Sequence, residues 1–304
     1  MRRGTEANLI DKIASISRGS RFVKTGIGDD AAVIDLPRGR YVVTTDTLVE
    51  RIDFLPDELP FWIGRRAAAA NLSDLAAMGA GPVGCLLTLG LPARRGLDYG
   101  WKIARGVTSK MAPWNVPLWG GDLSRAREVF VTLCLVGRAR RPILRSGARP
   151  GNRVFVTGTP GAAAVALAAR RRNRGRPPRA DERAHLDPTP RIEFARRLER
   201  GRLATAMIDV SDGLSLDADR LARASGVALE LSGAKSGTLS TSSDDFELLF
   251  CVAPKNIEAV LAAARQTGTP LSEIGRVVRG EGIFRLKDGK KRRLAPVGYD
   301  HFSR

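Results

Sequence analysis

The chain reads as a mixed α/β (α+β) protein of two domains, on three observations. Its 304 residues, 43% of them apolar, suffice to bury a core in each of two units. Short β-branched runs alternate in both halves with alanine-rich or amphipathic stretches of helical period. Around residues 138–150 the composition turns basic and rich in Pro and Gly, which suits a junction and sets the domain limits at 1–139 and 140–304.

Taken in order, residues 5–17 carry Leu9, Ile10, Ile13 and Ile16 at helical spacing, which predicts an amphipathic first helix. Gly26-Ile27-Gly28-Asp29-Asp30 is a glycine-softened turn holding two adjacent carboxylates. Strand-like runs at 31–35 and 41–45, divided by Pro37-Arg38-Gly39, predict a hairpin with Asp46 at its far end. Residues 61–78, rich in alanine and closed by Gly79, predict a helix whose small side chains permit close packing, with Asn71 and Asp74 on one face. Then come a buried strand at 83–91, an amphipathic helix at 97–111, a short strand at 116–119 running into Gly120-Gly121-Asp122, and a strand at 129–137. The carboxylates are thus expected at the ends of elements.

The second half opens with a strand at 153–157, Gly158-Thr159-Pro160-Gly161 and an alanine-rich helix. Asp187-Pro188-Thr189-Pro190 has the form of a helix start with Asp187 or Thr189 as its cap. Strand, helix and strand follow at 206–210, 214–224 and 227–231, then a loose polar loop at 232–243, and strand, helix and strand again at 246–252, 255–264 and 271–278. No short-period repeat is present.

The first residues include two arginines but no apolar stretch long enough for a signal peptide, and no later run is fit to span a bilayer, so a soluble cytoplasmic protein is expected. Cys85, Cys134 and Cys251, odd in number and set among Leu, Val and Phe, read as core residues rather than disulfides or metal ligands. The net charge of +18 suits nucleic acid, an acidic membrane surface or anionic small molecules. Much of it lies in residues 170–179, which read as a solvated loop, and in 287–293; neither run has interleaved aromatics, and arginine outnumbers lysine throughout, so nucleic acid is not the expected main partner.

No phosphate-binding Gly-x-x-x-x-Gly-Lys-Ser/Thr loop and no kinase-type catalytic loop occur, and the two histidines, His185 and His301, stand in polar sequence, so chemistry must rest on carboxylates. These recur beside Thr, Ser and Gly: Asp29-Asp30, Thr44-Thr45-Asp46, Ser73-Asp74, Gly120-Gly121-Asp122 and Asp209-Val210-Ser211-Asp212. Hard oxygen donors favour Mg²⁺, which takes few carboxylates per ion and bridges to phosphate, so several acids imply several ions around a polyphosphate. Taken singly, each Asp serves equally well as a cap or turn former, least so Asp74 in mid-helix and the Asp29-Asp30 pair. As a set, the capping reading loses.

Gly26-Ile27-Gly28-Asp29-Asp30-Ala31-Ala32, Thr45-Asp46-Thr47-Leu48-Val49, the stretch 71–80, Gly120-Gly121-Asp122, Arg145-Ser146-Gly147-Ala148, Val156-Thr157-Gly158, Ile208-Asp209-Val210-Ser211-Asp212-Gly213-Leu214 and Gly298-Tyr299-Asp300-His301-Phe302 together resemble, in order, the thiamine-monophosphate kinases. The stretch 71–80 and the Gly-Tyr-Asp-His-Phe ending are specific; a lone Gly-Gly-Asp is not. The resemblance implies the two-domain aminoimidazole-ribonucleotide synthetase-like fold, whose N-terminal domain pairs with its copy in a homodimer to form a β-barrel. It implies ATP as co-substrate and Mg²⁺ ions held by Asp30, Thr44, Thr45, Asp46, Asp74, Asp122, Asp209 and Asp212, with Asp30, Asp46, Asp74, Asp122 and Asp212 as the catalytic acids. Nucleotide contacts would fall on Gly121, Asp122, Arg145 and Ser211. The implied reaction moves the γ-phosphoryl of ATP onto the phosphate of thiamine monophosphate, giving thiamine diphosphate.

That chemistry suits a chain poor in histidine. A phosphate oxygen is already anionic near neutral pH, so the acceptor needs no general base, and the task is to hold two anions in line. Arg145 would be a permanently charged fork on a phosphate, although an ordinary surface arginine fits its spacing equally well. Departures fall on the acceptor side. Asp53-Phe54 stands where the family has His-Phe, Ser242-Ser243-Asp244-Asp245-Phe246-Glu247-Leu248 replaces Gly-Gly-Glu-Asp-Tyr-Glu-Leu, Pro296 replaces an aromatic, and the stretch 231–242 is short. Asp53, Asp244 and Pro296 are accordingly the expected substrate-side residues. Two alternatives stand beside this reading: an ATP enzyme of the same superfamily acting on another acceptor, and a non-enzymatic basic protein that binds nucleic acid.

Overall fold

The structure, a computed structural model, describes residues 8, 10, 14–15, 21–37, 39–232, 239 and 243–301. Most of the expected first helix and of the 232–243 loop, with Arg38, Ser242 and Phe302, lies outside the described residues.

Small side chains make the central element. Helix α1 (Pro60–Ala77) starts with Pro in its first turn and is buried along most of its length. It ends where Gly79, at φ 66, lets its own N–H reach the Ala76 carbonyl at 2.8 Å and that of Ala80 reach Leu75 at 2.8 Å, closing a Schellman motif. Helix α2 (Gly96–Met111) crosses it so closely that a Cβ on Gly64 would sit 2.0 Å from the Ile103 carbonyl oxygen, and one on Gly106 2.0 Å from that of Phe61.

The first sheet holds β1 (Val23–Thr25), β2 (Ala32–Leu36), β3 (Gly39–Val49), β4 (Gly81–Leu91), β5 (Leu118–Arg125) and β6 (Phe130–Arg138), ordered β1-β2-β3-β6-β4-β5 and antiparallel except for β4 with β5. The second holds β7 (Arg153–Thr157), β8 (Ala204–Val210), β9 (Ala228–Leu231), β10 (Glu247–Val252), β11 (Leu271–Val278), β12 (Gly282–Lys287) and β13 (Lys290–Arg293), ordered β13-β12-β9-β11-β7-β10-β8. Around it lie α3 (Ala162–Arg172), α4 (Arg183–Leu186), α5 (Ile192–Gly201), α6 (Leu214–Ser225) and α7 (Ile257–Thr267).

Alternation along the second sheet gives each face its own core. Val154, Val156, Ile208, Leu249 and Cys251 pack with α6, whereas Phe155, Met207, Leu248 and Phe250 face the other way and join the cluster built on α1. Helix α1 therefore touches β3 and β6 of one sheet and β8 and β10 of the other. Each half does not have a core to itself; one of the two cores is shared.

Several expectations change. Strand β3 runs on past Asp46, which pairs opposite Leu133, and Gly120-Gly121-Asp122 lies within β5, where Gly121 pairs with Leu87 and Asp122 with Thr88. These acids sit inside strands, not at element ends, because ladder hydrogen bonds use main-chain groups and an edge strand tolerates weak formers such as Gly and Asp. Asp187 caps nothing: α5 has no side-chain cap, and the Asp187 carboxylate accepts from Arg65 Nε at 3.0 Å and Lys110 Nζ at 2.6 Å. Strand β4, expected to be buried, leaves Val83 and Leu86 exposed. Strand β1 and the β12–β13 hairpin were unexpected, since charged hairpins carry no apolar alternation. Cys85 and Cys251 are buried, Cys134 is half-buried, and all three are free. Among the described residues no helix is long and apolar enough to cross a membrane.

The basic run is also not simply solvated. Arg170 to Arg172 close α3, and Arg170, 1% exposed, pairs with Glu58 at 2.6 Å and Glu182 at 3.2 Å, while Arg174 reaches Asp57 at 3.1 Å. Breaking a buried pair strands the remaining charge, so Arg170→Ala should cost about 3–5 kcal/mol in a urea titration. Arg174→Ala, at the exposed pair, should cost less than about 1 kcal/mol.

Candidate active site

The packing of α1 against β3 and β8 brings three carboxylates to one point. Oxygens of Asp30, Asp74 and Asp209 all lie within 4.8 Å of one another. Asp74 projects from α1 towards β3, where Thr44 Oγ1 donates to it at 2.6 Å, and Ser73 Oγ donates to Asp209 on β8 at 2.7 Å. Asp30 arrives from the Gly26–Asp30 turn, clasped by Arg145 through Nη2 at 2.9 Å and Nε at 3.1 Å. Asp29 accepts from the Arg145 backbone N–H at 3.2 Å.

Like charges so placed resist ionising. Burial, then Asp46, pushes Asp74 well above the ordinary carboxylate range; burial, then Asp74 and Asp30, does the same to Asp209. Burial and the neighbouring Asp30 raise Asp29 to about 6. Among the described residues neither Asp74 nor Asp209 makes an ion pair. Three hard, acceptor-only groups with one arginine between them suit a divalent ion of the Mg²⁺ kind: added positive charge would relieve their repulsion, and carboxylate oxygen is the donor such an ion takes.

A cleft of about 420 Å³ opens beside this cluster, with Asp46, Asp53, Ser211 and Asp212 on its lining. Burial, then Asp53 and Asp212, raises Asp46. Asp212 is steadied by Arg220 at 2.5 Å, and its loop is shaped by Asp217, whose Oδ2 accepts the backbone N–H groups of Ser211, Asp212 and Gly213 at 3.1, 3.1 and 3.2 Å. Burial raises Asp217 to about 6.

Not every expected residue joins. The Thr45 hydroxyl lies on the opposite face of β3 from Thr44 and donates to the Leu133 carbonyl at 2.9 Å. Gly121 and Asp122 are exposed on β5, and the register Asp46–Leu133–Leu87–Gly121 puts three strand spacings, roughly 14 Å, between β3 and β5. Among the described residues Asp122 bonds only locally, accepting from Ser124 Oγ at 2.7 Å. Arg145 is engaged on Asp30 rather than offered as an open fork.

Of the residues expected on the acceptor side, Asp53 lines the cleft, but its Oδ2 accepts the Val49 N–H at 2.8 Å, closing the end of β3, while its carbonyl accepts from Arg66. Asp244 also lines the cleft and pairs with Arg66. Its neighbours are structural: Asp245 accepts the N–H groups of Gly161 and Ala163 at the start of α3 at 2.6 and 2.9 Å, and Glu247 pairs with Arg191 at 2.6 Å. Pro296 is absent from the lining, while Tyr299 and His301 are on it, their rings edge to face 4.8 Å apart. Sequence reasoning missed Arg66, His185, Asp217 and Arg220. The Arg65-Arg66 pair just ahead of the alanine run of α1 was the one signal available for Arg66. His185, expected in polar surroundings, is buried, because α4 turns inward against α1 and α3.

The family profile described as AIR synthase related protein, N-terminal domain, matches residues 28–139, and that described as its C-terminal domain matches residues 149–287. A thiamine-monophosphate kinase from Rhodopirellula baltica is 36% identical, covering 92% of this chain and 92% of the relative. One from Salmonella typhimurium is 36% identical over 98% of each chain. The solved structure of AaThiL complexed with AMPPCP and TMP superposes with a TM-score of 0.84 at 30% identity, covering 98% of this chain and 97% of that one. With this architecture, this acidic cluster and these full-length likenesses, the chain belongs to the thiamine-monophosphate kinase family.

Proposed function

We propose that the chain phosphorylates thiamine monophosphate from ATP, giving thiamine diphosphate. The observation that carries this reading is the convergence of Asp30, Asp74 and Asp209 beside the cleft. The relative solved with AMPPCP and TMP supports an ATP-type nucleotide and thiamine monophosphate as the two ligands.

In this proposal Asp30, Asp74 and Asp209 hold Mg²⁺ at the cluster, and Asp46 and Asp212 hold further ions along the cleft. Bound Mg²⁺ would supply the positive charge that lets two phosphate groups approach. The protein's own part is positional. Thr44 and Ser73 orient the carboxylates of Asp74 and Asp209, and Asp217 and Arg220 set the loop that carries Ser211 and Asp212. Arg145, anchored by Asp30, keeps a guanidinium at the cluster, available to a phosphate when ions take over Asp30. No side chain need accept a proton from the acceptor, whose attacking oxygen is already ionised.

Gly121 and Asp122 fit this chemistry through a second copy of the chain. Around β5 the first sheet is bare among the described residues, with Leu86, Leu118, Trp119 and Leu123 exposed, Trp119 at 53% and Leu123 at 59%. An unpaired edge beside uncovered apolar side chains invites pairing. A homodimer closing a barrel across this face is our reading, with Asp122 offered to the shared interface. Cytoplasmic location belongs to the same proposal.

A second reading, an ATP enzyme with another acceptor, draws on Asp53 and Asp244, whose carboxylates are committed to Val49 N–H and Arg66. Purified protein with Mg²⁺ and ATP should convert thiamine monophosphate to the diphosphate by chromatography; ATP turnover without that product would favour the second reading. Asp74→Asn should lower turnover more than about 100-fold, beyond the loss typical of groups that merely support a metal ligand.

Since Asp29 and Asp217 titrate near about 6 when folded but near about 4 when unfolded, the folded state binds more protons between those values. Metal-free protein should therefore lose stability as pH rises through that window, and Asp74 and Asp209 should extend the loss upward. Added Mg²⁺ should raise the melting temperature more at pH 8 than at pH 5 by calorimetry. Trp119→Glu with Leu123→Glu should convert a sedimenting dimer to monomer.

A further inference from the structure

One wall of the cleft holds polar groups that the reaction just described does not use. His185, on the short helix α4, has its side chain 5% exposed, and its buried Nδ1 has no hydrogen-bond partner among the described residues. Asp244 Oδ2 lies 3.9 Å from it, too far for a hydrogen bond and already paired with Arg66. Arg66 Nε is likewise buried and, among the described residues, unpartnered. All three residues line the cleft that also holds Asp46 and Asp212. Burial of polar atoms without partners is unfavourable, so a wall that keeps two of them is arranged for something the chain does not itself supply.

The chemistry of that wall is selective. Burial, then the charge of Arg66, pushes His185 down to about 3, so the imidazole is neutral and one ring nitrogen is an acceptor. Asp244 is held below the ordinary carboxylate range despite its burial by the charge of Arg66, so it too is an acceptor. A phosphate would be repelled by Asp244, and a bare carbonyl would meet acceptors. An amine on an aromatic ring brings N–H donors, and its adjacent ring nitrogen gives a donor such as Arg66 something to bond. Asp244 is held firmly for this purpose, since Asp245 and Ser243 on either side are bonded to the N–H groups that open α3, at 2.6 Å from Gly161 and 3.2 Å from Ala164. A half-turn of the His185 ring about χ2 exchanges Nδ1 with Cδ2 without moving the backbone.

The geometry points to His185, together with Asp244, as the residue that reads the amino-heterocycle of the acceptor, with Arg66 holding Asp244 in place. This rests on the reading of the acceptor as thiamine monophosphate, whose pyrimidine carries an exocyclic amine beside a ring nitrogen. His185 supplies an imidazole from α4 to the cleft that Asp53 also lines. Its contribution is to acceptor choice and not to phosphoryl transfer.

Steady-state rates with thiamine monophosphate and with the analogue whose 4-amino group is replaced by oxygen test this directly. The wild-type protein should favour the amino compound at least about tenfold in kcat/KM, as a site built to pair with a donor rejects a ligand lacking it. His185→Ala should raise KM for thiamine monophosphate about tenfold, leave KM for ATP unchanged, and reduce the preference to within about threefold. His185→Asn, which returns a short acceptor, should restore part of it. Melting curves of both variants establish that they are folded. Equal use of the two acceptors by the wild type, or an undiminished preference in a folded His185→Ala protein, overturns the assignment. If the wild type phosphorylates neither compound, the proposed function fails. The wall is then judged by calorimetric titration with thiamine and oxythiamine: tighter binding of thiamine, lost in His185→Ala, sustains it, and indifferent or undetectable binding overturns it.

Discussion

Mutual repulsion among Asp30, Asp74 and Asp209 is the constraint that the surrounding structure is built to withstand. Carboxylates within 4.8 Å of each other and withdrawn from water disfavour the ionised state, as the upward displacement of Asp74 and Asp209 reflects. Each is held by a different piece of chain: a turn, a helix and a strand of the opposite sheet. None can move away without disturbing an element that is packed on another side. The hydroxyls of Thr44 and Ser73 and the guanidinium of Arg145 soften the repulsion and leave the oxygens clustered. In the proposed enzyme, that residual strain is what makes the site receptive to divalent ions.

Helix α1 makes this arrangement possible. Its small side chains let α2 cross at near-contact of main chain and let both sheets reach it, so the core that supports Asp74 is the core that joins the two halves. Larger residues would push the sheets apart and with them Asp209 from Asp74. On the acceptor side the rules differ. There Arg66, from the same helix, organises Asp53 and Asp244, and segments such as 243–247 keep their structural bonds while presenting different groups to the cleft. In the proposed enzyme, the part concerned with ions is shared among many elements, and the part concerned with the acceptor hangs on a few side chains.

Much of this was legible in the chain. Alanine spacing and Gly79 gave α1, and the recurrence of Asp beside Ser, Thr and Gly singled out the acids that converge. Asp122 was legible as an acid but not as a position, because the edge strand that carries it is specified by pairing with β4 and not by its own residues. Asp187 and Arg170 were misjudged for a related reason: a cap motif and a basic run are local signals, while the groups that claim these side chains, Arg65, Lys110, Glu58 and Glu182, come from elsewhere in the fold. His185 carried no sequence signal, since its burial depends on α4 turning inward. Local chemistry was readable; long-range partnership was not.

The hydrogen bond from Ser73 to Asp209 has a consequence beyond orientation. Its donor belongs to the helix of one half and its acceptor to the sheet of the other, so the spacing of the acids is a direct measure of how well the halves are docked. A loosening too slight to melt either sheet would already spread the carboxylates. In the proposed enzyme, affinity for ions should therefore fade earlier on heating than secondary structure does, and whatever tightens the docking should sharpen the site without touching it.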